Sequence, residues 1–282
     1  MRFVRVSVPA TTANLGPGFD TLGMALSLRN ELEVEVTGSS IDVEVGGEGA
    51  GDLPTGPGHL VVQALEAAFR SQGRSLPPLR IRQVNRIPLA RGLGSSAAAI
   101  VAGLVAAREL LEVDLDLLAL ATRMEGHPDN VAPALLGGLT ASATLEGGVK
   151  SCRLPLHGAW KVAVAVPEFR VSTRDARQVL PERVSLEDAV FNLGRLGVLL
   201  ALLGQGASDL QGATEDRLHQ PYRTHLIPGY PAVRRAALDS GAAGVFVSGS
   251  GPTIAALVDS RHAPVEKVAA AMASAFGGQA RG

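Results

Sequence analysis

The 282-residue chain reads as an α+β protein of two domains, and three observations predict it. Its length exceeds the usual size of a single domain. Apolar and polar residues alternate in some segments and follow helical spacing in others, without the regular strand-helix-strand order of a doubly wound sheet. A turn at Gly147-Gly148 and the polar stretch after it break the chain near residue 155, which gives domains of 1–155 and 156–282.

In the first half, alternation in Phe3 to Val8, Glu31 to Val36 and Ile41 to Val45 predicts strands. Leu60 to Phe69 has helical spacing, Pro77-Pro78 breaks it, and Leu79 to Val84 is the next strand. An alanine-rich helix follows Gly94. Helical pattern resumes from Leu115 to Met124, the segment GHPDNVAP interrupts it, and Leu139 to Leu145 closes the half as a strand. The second half opens with a strand at Lys161 to Val166. It continues through helices near Leu186 to Leu203, Ala207 to His219 and Ala232 to Ser240, strands at Gly244 to Val247 and Thr253 to Val258, and a last helix over Ala263 to Phe276.

Composition narrows the function. The apolar content is 46% with only 4% aromatic, so the core is built from Ala, Val and Leu. A formal charge of −1 supplies no field for nucleic acid or an anionic membrane, and neither is expected as a partner. The start MRFVRVSVPA has no apolar core of a signal peptide, and runs such as Ala97 to Ala107 are too short to span a bilayer; a cytoplasmic protein is expected. Cys152 is the only cysteine, which excludes an intrachain disulfide and a cysteine-cluster metal site.

The segment RIPLARGLGSSAAA (Arg86 to Ala99) sets two glycines and two serines before an alanine run. Gly92 and Gly94 allow positive φ and close backbone approach, and Ser95 and Ser96 stand where N-caps belong, so free N–H groups and a helix dipole converge on an anion. It is not a Walker loop, since it holds no lysine, and charge compensation must come from backbone amides and a metal. A second segment, VPATTANLGPGFDTLGMAL (Val8 to Leu26), places Asn14 and Asp20 in a glycine-proline loop, where an amide and a carboxylate can bind a hydroxyl and an ammonium. In the third, EGHPDNVAP (Glu125 to Pro133), Asp129 is read as a cap of the following short helix. VSGSGPTIAAL, around Gly249 and Gly251, reads as a turn between two strands. VSTRDARQVLP and QPYRTHLIPGY contain Arg177 and Arg223, whose planar forks suit a carboxylate.

PLARGLGSSAA resembles the ATP-binding loop of the GHMP kinases, and PATTANLGPGFDTLG and EGHPDNVAPALLGG are similar to the homoserine-kinase branch of that family. The resemblance covers nearly the whole chain. It implies an N-terminal domain like domain 2 of ribosomal protein S5 and a ferredoxin-like C-terminal domain. It implies that Pro88, Leu89, Ala90, Arg91, Gly92, Leu93, Gly94, Ser95, Ser96, Ala97 and Ala98 bind ATP, with the turn at Gly249 to Thr253 packed against this loop across the domain interface. Ser96 and Glu125 would hold Mg²⁺. Asn14, Asp20, His127, Asn130, Arg177 and Arg223 would bind L-homoserine, with Asn130, Glu125 and Ser96 as the catalytic set. The expected product is O-phospho-L-homoserine, a step toward threonine, and the expected partner is this small molecule; a homodimer is possible. Asn130 stands where mevalonate-kinase-like relatives have a basic aspartate, so the resemblance leaves the proton acceptor open. His59 stands where homoserine kinases commonly have asparagine, which leaves that nucleotide contact open too.

Two other readings differ in kind. GLGSS as a dinucleotide fingerprint lacks the third glycine and an acidic residue about twenty positions on at a strand end. A non-catalytic binding module is opposed by the presence of both Ser96 and Glu125.

Overall fold

The computed structural model describes residues 2–281 apart from 39, 208, 211, 278 and 279. The chain forms two compact units, one of Met1–Thr11, Met24–Leu89 and Gly94–Cys152, the other of Thr12–Gly23, Ala90–Leu93 and Arg153–Gly282.

The first unit is built around a sheet with the order β3-β4-β2-β5-β6, in which β1 also pairs with β2. Its strands are β1 (Phe3–Ala13), β2 (Leu22–Val36), β3 (Asp42–Gly47), β4 (Leu79–Asn85), β5 (Leu139–Leu145) and β6 (Gly148–Leu154). Period-2 burial of Leu79, Ile81 and Gln83 turns one face of β4 inward. β4 runs antiparallel to β2 and parallel to β3, so α1 (Leu60–Ser71) is a crossover between β3 and β4. This is one strand-helix-strand unit that the sequence pattern did not show, because the glycine- and proline-rich stretch 48–58 hides it. α1 buries Val61, Leu65 and Ala68, at the spacing of one helical face.

α2 (Ser95–Leu111) is buried nearly all round, which its small residues permit. It crosses α1 at Gly103, where an added Cβ would lie 2.7 Å from both Ala64 Cβ and the Val61 carbonyl oxygen. Two shorter helices follow, α3 (Leu117–Glu125) and α4 (Pro128–Leu136). A buried amide fixes the exit of β4 toward the glycine loop: Asn30 accepts from the N–H groups of Arg86 (2.8 Å) and Ile87 (3.0 Å) and donates to Asn85 Oδ1 (2.9 Å).

The second unit carries the strand order β10-β7-β9-β8, antiparallel throughout, from β7 (Trp160–Pro167), β8 (Gly244–Val247), β9 (Ile254–Asp259) and β10 (Ala280–Arg281). Numbered along the chain this is 4-1-3-2, the ferredoxin-like arrangement. Every residue of β9 is buried, so Ile254 to Val258 read as a continuous apolar run instead of an alternating one, and only the last residue, Asp259, is charged. Ile254, Ala256 and Val258 face a core closed by Val233 and Ala237 of α8 (Tyr230–Asp239) and Val268 and Met272 of α9 (Val265–Ala275). The unit also contains α5 (Thr173–Gln178), α6 (Leu186–Gln205) and α7 (Gln220–Arg223).

Three expectations are corrected. Ala207 to His219 is not a helix: a 3₁₀ turn at Gly212–Thr214 is followed by a loop in which Asp216 accepts from the N–H groups of Leu218, His219 and Gln220. A carboxylate that gathers three backbone donors competes with helix continuation and starts α7 instead; residues 208 and 211 lie outside the described set. The polar stretch after Gly147 is an edge strand, β6, exposed enough to lack an apolar period. β1 runs on to Ala13, where burial on both faces removes alternation. No described helix is long and apolar enough to cross a membrane.

Gly103→Val is expected to destabilise the chain by about 1–3 kcal/mol despite the removal of a helix-interior glycine, because the methyls meet the backbone of α1. Urea denaturation with an unchanged m-value measures it.

Candidate active site

The start of α2 is capped by backbone. Gly94 is the N-cap in the left-handed region (φ 66°) with no side-chain cap, and Ser95 is the first helical residue, so the expected capping by Ser95 and Ser96 is corrected. A Cβ on Gly94 would overlap Thr11 Oγ1 and approach Asn130 Oδ1, which leaves no room for a capping residue with a side chain. The first N–H groups of the helix have no partner within it, and no acidic residue stands in its first turn to offset the dipole. An anion is the group that this helix end lacks.

Ser96 Oγ donates to Glu125 Oε1 at 2.6 Å. Glu125 ends α3, and burial raises its pKa above the ordinary value, against the lowering effects of the Ser96 bond and the nearby His127; Asp129 adds to the rise. Gly126 then turns the chain (φ 93°), and Pro128 opens α4 with His127 as its N-cap.

Asp129 is not the helix cap expected from the sequence. It lies within α4, is only 2% exposed, and its Oδ1 accepts from His127 Nδ1 (2.5 Å) and Asn130 Nδ2 (3.2 Å). Thr11 in turn donates to Asn130 Oδ1 at 2.8 Å. Thr11, Asn130, Asp129 and His127 thus form one hydrogen-bonded network, buried except for the partly exposed His127. Sequence reasoning missed Thr11 and Asp129; the Asp-Asn pair signalled a cap as readily as a network.

In the second unit the loop 14–20 carries φ of 71°, 48° and 53° at Asn14, Leu15 and Asp20. Left-handed backbone at three side-chain-bearing residues is held only by surrounding structure. Asn14 supplies part of it, since its amide donates to the Gly249 carbonyl (2.9 Å) and accepts from Asp20 N–H (3.0 Å). Arg177, in α5, forms a two-pronged pair with Asp20 at 2.9 and 3.0 Å. Arg223, in α7, is buried and donates to the carbonyls of Ala176 (3.1 Å) and Gly249 (3.1 Å) and to His219 Nδ1 (3.3 Å). Both guanidinium groups lie over the ring of Phe19, and His219 stacks on that ring at 5.0 Å. His219 Nε2 donates to the Gly16 carbonyl at 2.8 Å, and burial lowers its pKa, so the neutral ring serves both contacts. His219 was hidden within the segment read as helix.

The glycine loop segment Ala90–Leu93 belongs to this second unit, and the Gly249 turn packs on it. Ser248 donates to the Gly92 carbonyl at 2.6 Å, and a Cβ on Gly92 would overlap the Ser248 carbonyl. Arg91 donates to the carbonyls of Pro167 (2.9 Å) and Glu168 (2.7 Å), which anchors the loop. Pro88 and Leu93 are buried, Leu89 is partly buried and Ala90 is exposed with φ 53°. Ala97 and Ala98 are buried in α2. His59 caps α1, accepting from Val61 N–H at 3.2 Å, and burial keeps its ring neutral.

A glycine loop that opens a helix on an uncompensated dipole, next to a hydroxyl and a carboxylate, fits binding of polyphosphate. The chain belongs to the GHMP kinases: the patterns described as GHMP kinases N terminal domain and GHMP kinases C terminal match residues 59–138 and 195–278. It is an ATP-dependent kinase with the two-domain fold of that family. Among curated relatives it is similar to the homoserine kinase of Moorella thermoacetica, 51% identical over 275 residues that cover 96% of this chain and 92% of the relative. Among solved structures it is similar to homoserine kinase from Cytophaga hutchinsonii, with TM-score 0.89, 33% identity, and coverage of 99% of this chain and 91% of that one. Phosphomevalonate kinase of Streptococcus pneumoniae, solved with phosphomevalonate and AMPPNP, shares the fold at TM-score 0.73 and 14% identity, over 96% and 97% of the two chains.

Because the folded chain holds the Glu125 proton more tightly than the unfolded chain does, ionising this carboxyl costs stability above its raised pKa, and the cost disappears as pH falls through it. Glu125→Gln is therefore expected to raise the thermal midpoint of the metal-free protein at about pH 8, with the gain shrinking toward about pH 5. Scanning calorimetry at the two pH values measures it.

Proposed function

We propose that this kinase transfers the γ-phosphoryl group of ATP to the side-chain hydroxyl of L-homoserine, giving O-phospho-L-homoserine. The observation that carries the reading is the Asp20–Arg177 pair beside Arg223 and Phe19. A carboxylate and a guanidinium bonded to each other can open and exchange partners, Asp20 taking an ammonium and Arg177 a carboxylate. An amino acid offers both charges. The likeness to relatives named homoserine kinase supports the same substrate.

On the nucleotide side, the segment Pro88 to Ala98 holds the phosphates through backbone N–H groups and the α2 dipole. Ser96 and Glu125 are the residues that would hold Mg²⁺: two hard oxygens 2.6 Å apart come near the roughly 3 Å between adjacent ligands of its octahedron. Bound there, the metal neutralises charge on the phosphate oxygens. His127 and Asn130 orient the substrate from a network already fixed by Asp129 and Thr11. Asn14 serves the same ligand through the shape of its loop. An amide is no base, and a loose phosphoryl transition state needs none before transfer, so the hydroxyl proton leaves late, to the transferred group. Catalysis is then positioning and electrostatic stabilisation.

A coupled assay of ATP consumption should give turnover with L-homoserine and none with mevalonate, which lacks the ammonium; equal turnover of mevalonate would overturn the assignment. Glu125→Gln should lower kcat by about two orders of magnitude. Arg177→Lys should cost about 1.5–3 kcal/mol in kcat/KM for homoserine, the range of a charged hydrogen bond. With homoserine amide, the variant and the unchanged protein should converge, since the carboxylate is gone.

A further inference from the structure

The second unit contains a cavity of about 550 Å³ between α6, α7 and α8, a volume in the range of small-molecule sites. None of the residues assigned above to ATP, metal or homoserine lines it. Two carboxylates stand at its wall, and both are already taken. Glu215 accepts from Arg195 at 3.0 Å, and Asp216 accepts from Asn192 Nδ2 at 2.7 Å besides its three backbone donors.

The donors are not all taken. Arg217 reaches Glu187 (3.0 Å) and Asp188 (3.3 Å), but Arg234 has neither a hydrogen bond nor an ion pair with any described residue. Tyr230 opens α8 one helical turn before Arg234, on the same face, and its hydroxyl also has no hydrogen-bond partner among the described residues. Burial raises the pKa of this phenol, with Arg234 opposing the rise and Asp216 adding to it, so the hydroxyl is a neutral donor that stands near both charges.

A guanidinium and a phenol O–H without acceptors on one cavity wall call for an acidic group. A zwitterion suits the cavity less, since neither carboxylate is left for an ammonium. The remaining wall suits a carbon body. Phe191 has the guanidinium of Arg195 at 3.3 Å and that of Arg217 at 4.0 Å from its ring centre, and groups so close to one centre can only take opposite faces. Guanidinium planes are flat and weakly hydrated, and Pro221 and Val245 add apolar surface beside them.

We propose that this cavity is a second ligand site, for a small organic acid whose carboxylate or phosphate group is held by Arg234 and Tyr230 while its body lies against the Arg195–Phe191–Arg217 stack.

Isothermal titration calorimetry with phenyl phosphate, benzoate and the neutral benzyl alcohol tests the site, with AMPPNP and Mg²⁺ present to fill the glycine loop. The titrated proteins are the unchanged chain, Arg234→Met, Tyr230→Phe and Arg177→Met. Arg234→Met breaks no bond within the described chain, and an unchanged thermal midpoint confirms its fold. The expected result is binding of at least one acid and none of the alcohol, weakened roughly tenfold or more by Arg234→Met, about threefold by Tyr230→Phe and not at all by Arg177→Met. Tighter binding of phenyl phosphate would mark the natural ligand as a phosphate ester, and tighter binding of benzoate as a carboxylic acid. Failure of both acids to bind at about 10 mM, or binding undiminished in Arg234→Met, would overturn the proposal. So would equal binding of benzyl alcohol.

Discussion

The start of α2 must be made of backbone, and much of the site follows from that constraint. Thr11 and Asn130 occupy the volume that a side chain at position 94 would need, so only glycine fits, and the cap contributes no acceptor of its own. The helix end is left electrically positive. The same two residues that exclude a side chain are bonded to each other, and through Asn130 to Asp129 and His127. One close approach thereby shapes the anion site and orders the polar network together.

Polar burial in this protein is concentrated where geometry matters. Asp216 satisfies three backbone donors and bonds to Asn192, which reaches the carbonyl of Pro17. His219 ties Gly16 to Arg223. The loop 14–20 is therefore held from several sides, which is what its left-handed residues require. By contrast, Glu125 sits where burial disfavours its charge, so the fold bears a local cost at a residue assigned to chemistry.

The helices with one clear apolar face, α1 and α9, were legible from periodicity, and β9 from its short apolar run Ile254 to Val258, because tertiary packing there agrees with local pattern. The family was legible from glycine-rich motifs. What failed to register depended on partners distant in sequence. Asp216 overrides a helical pattern by collecting three N–H groups, and β6 at a sheet edge has no period to read. Asp129 looks like a cap until Thr11 and His127 are seen around it. Ser95 and Ser96 look like caps until Thr11 is found against Gly94. The left-handed Leu15 and Ala90 carry no sequence signal at all, since their side chains disfavour that conformation.

The pairing of Asp20 with Arg177 also sets a threshold for what can settle on this loop. In the resting chain the guanidinium already has its two-pronged acceptor, so the spot offers little net attraction to a lone anion. A sulfate, an inorganic phosphate or a simple hydroxy acid would have to strip Arg177 from its carboxylate and leave Asp20 uncompensated. The salt bridge is closed before any ligand arrives, so an ion that engages Arg177 through the same two N–H groups has to displace the Asp20 carboxylate from them.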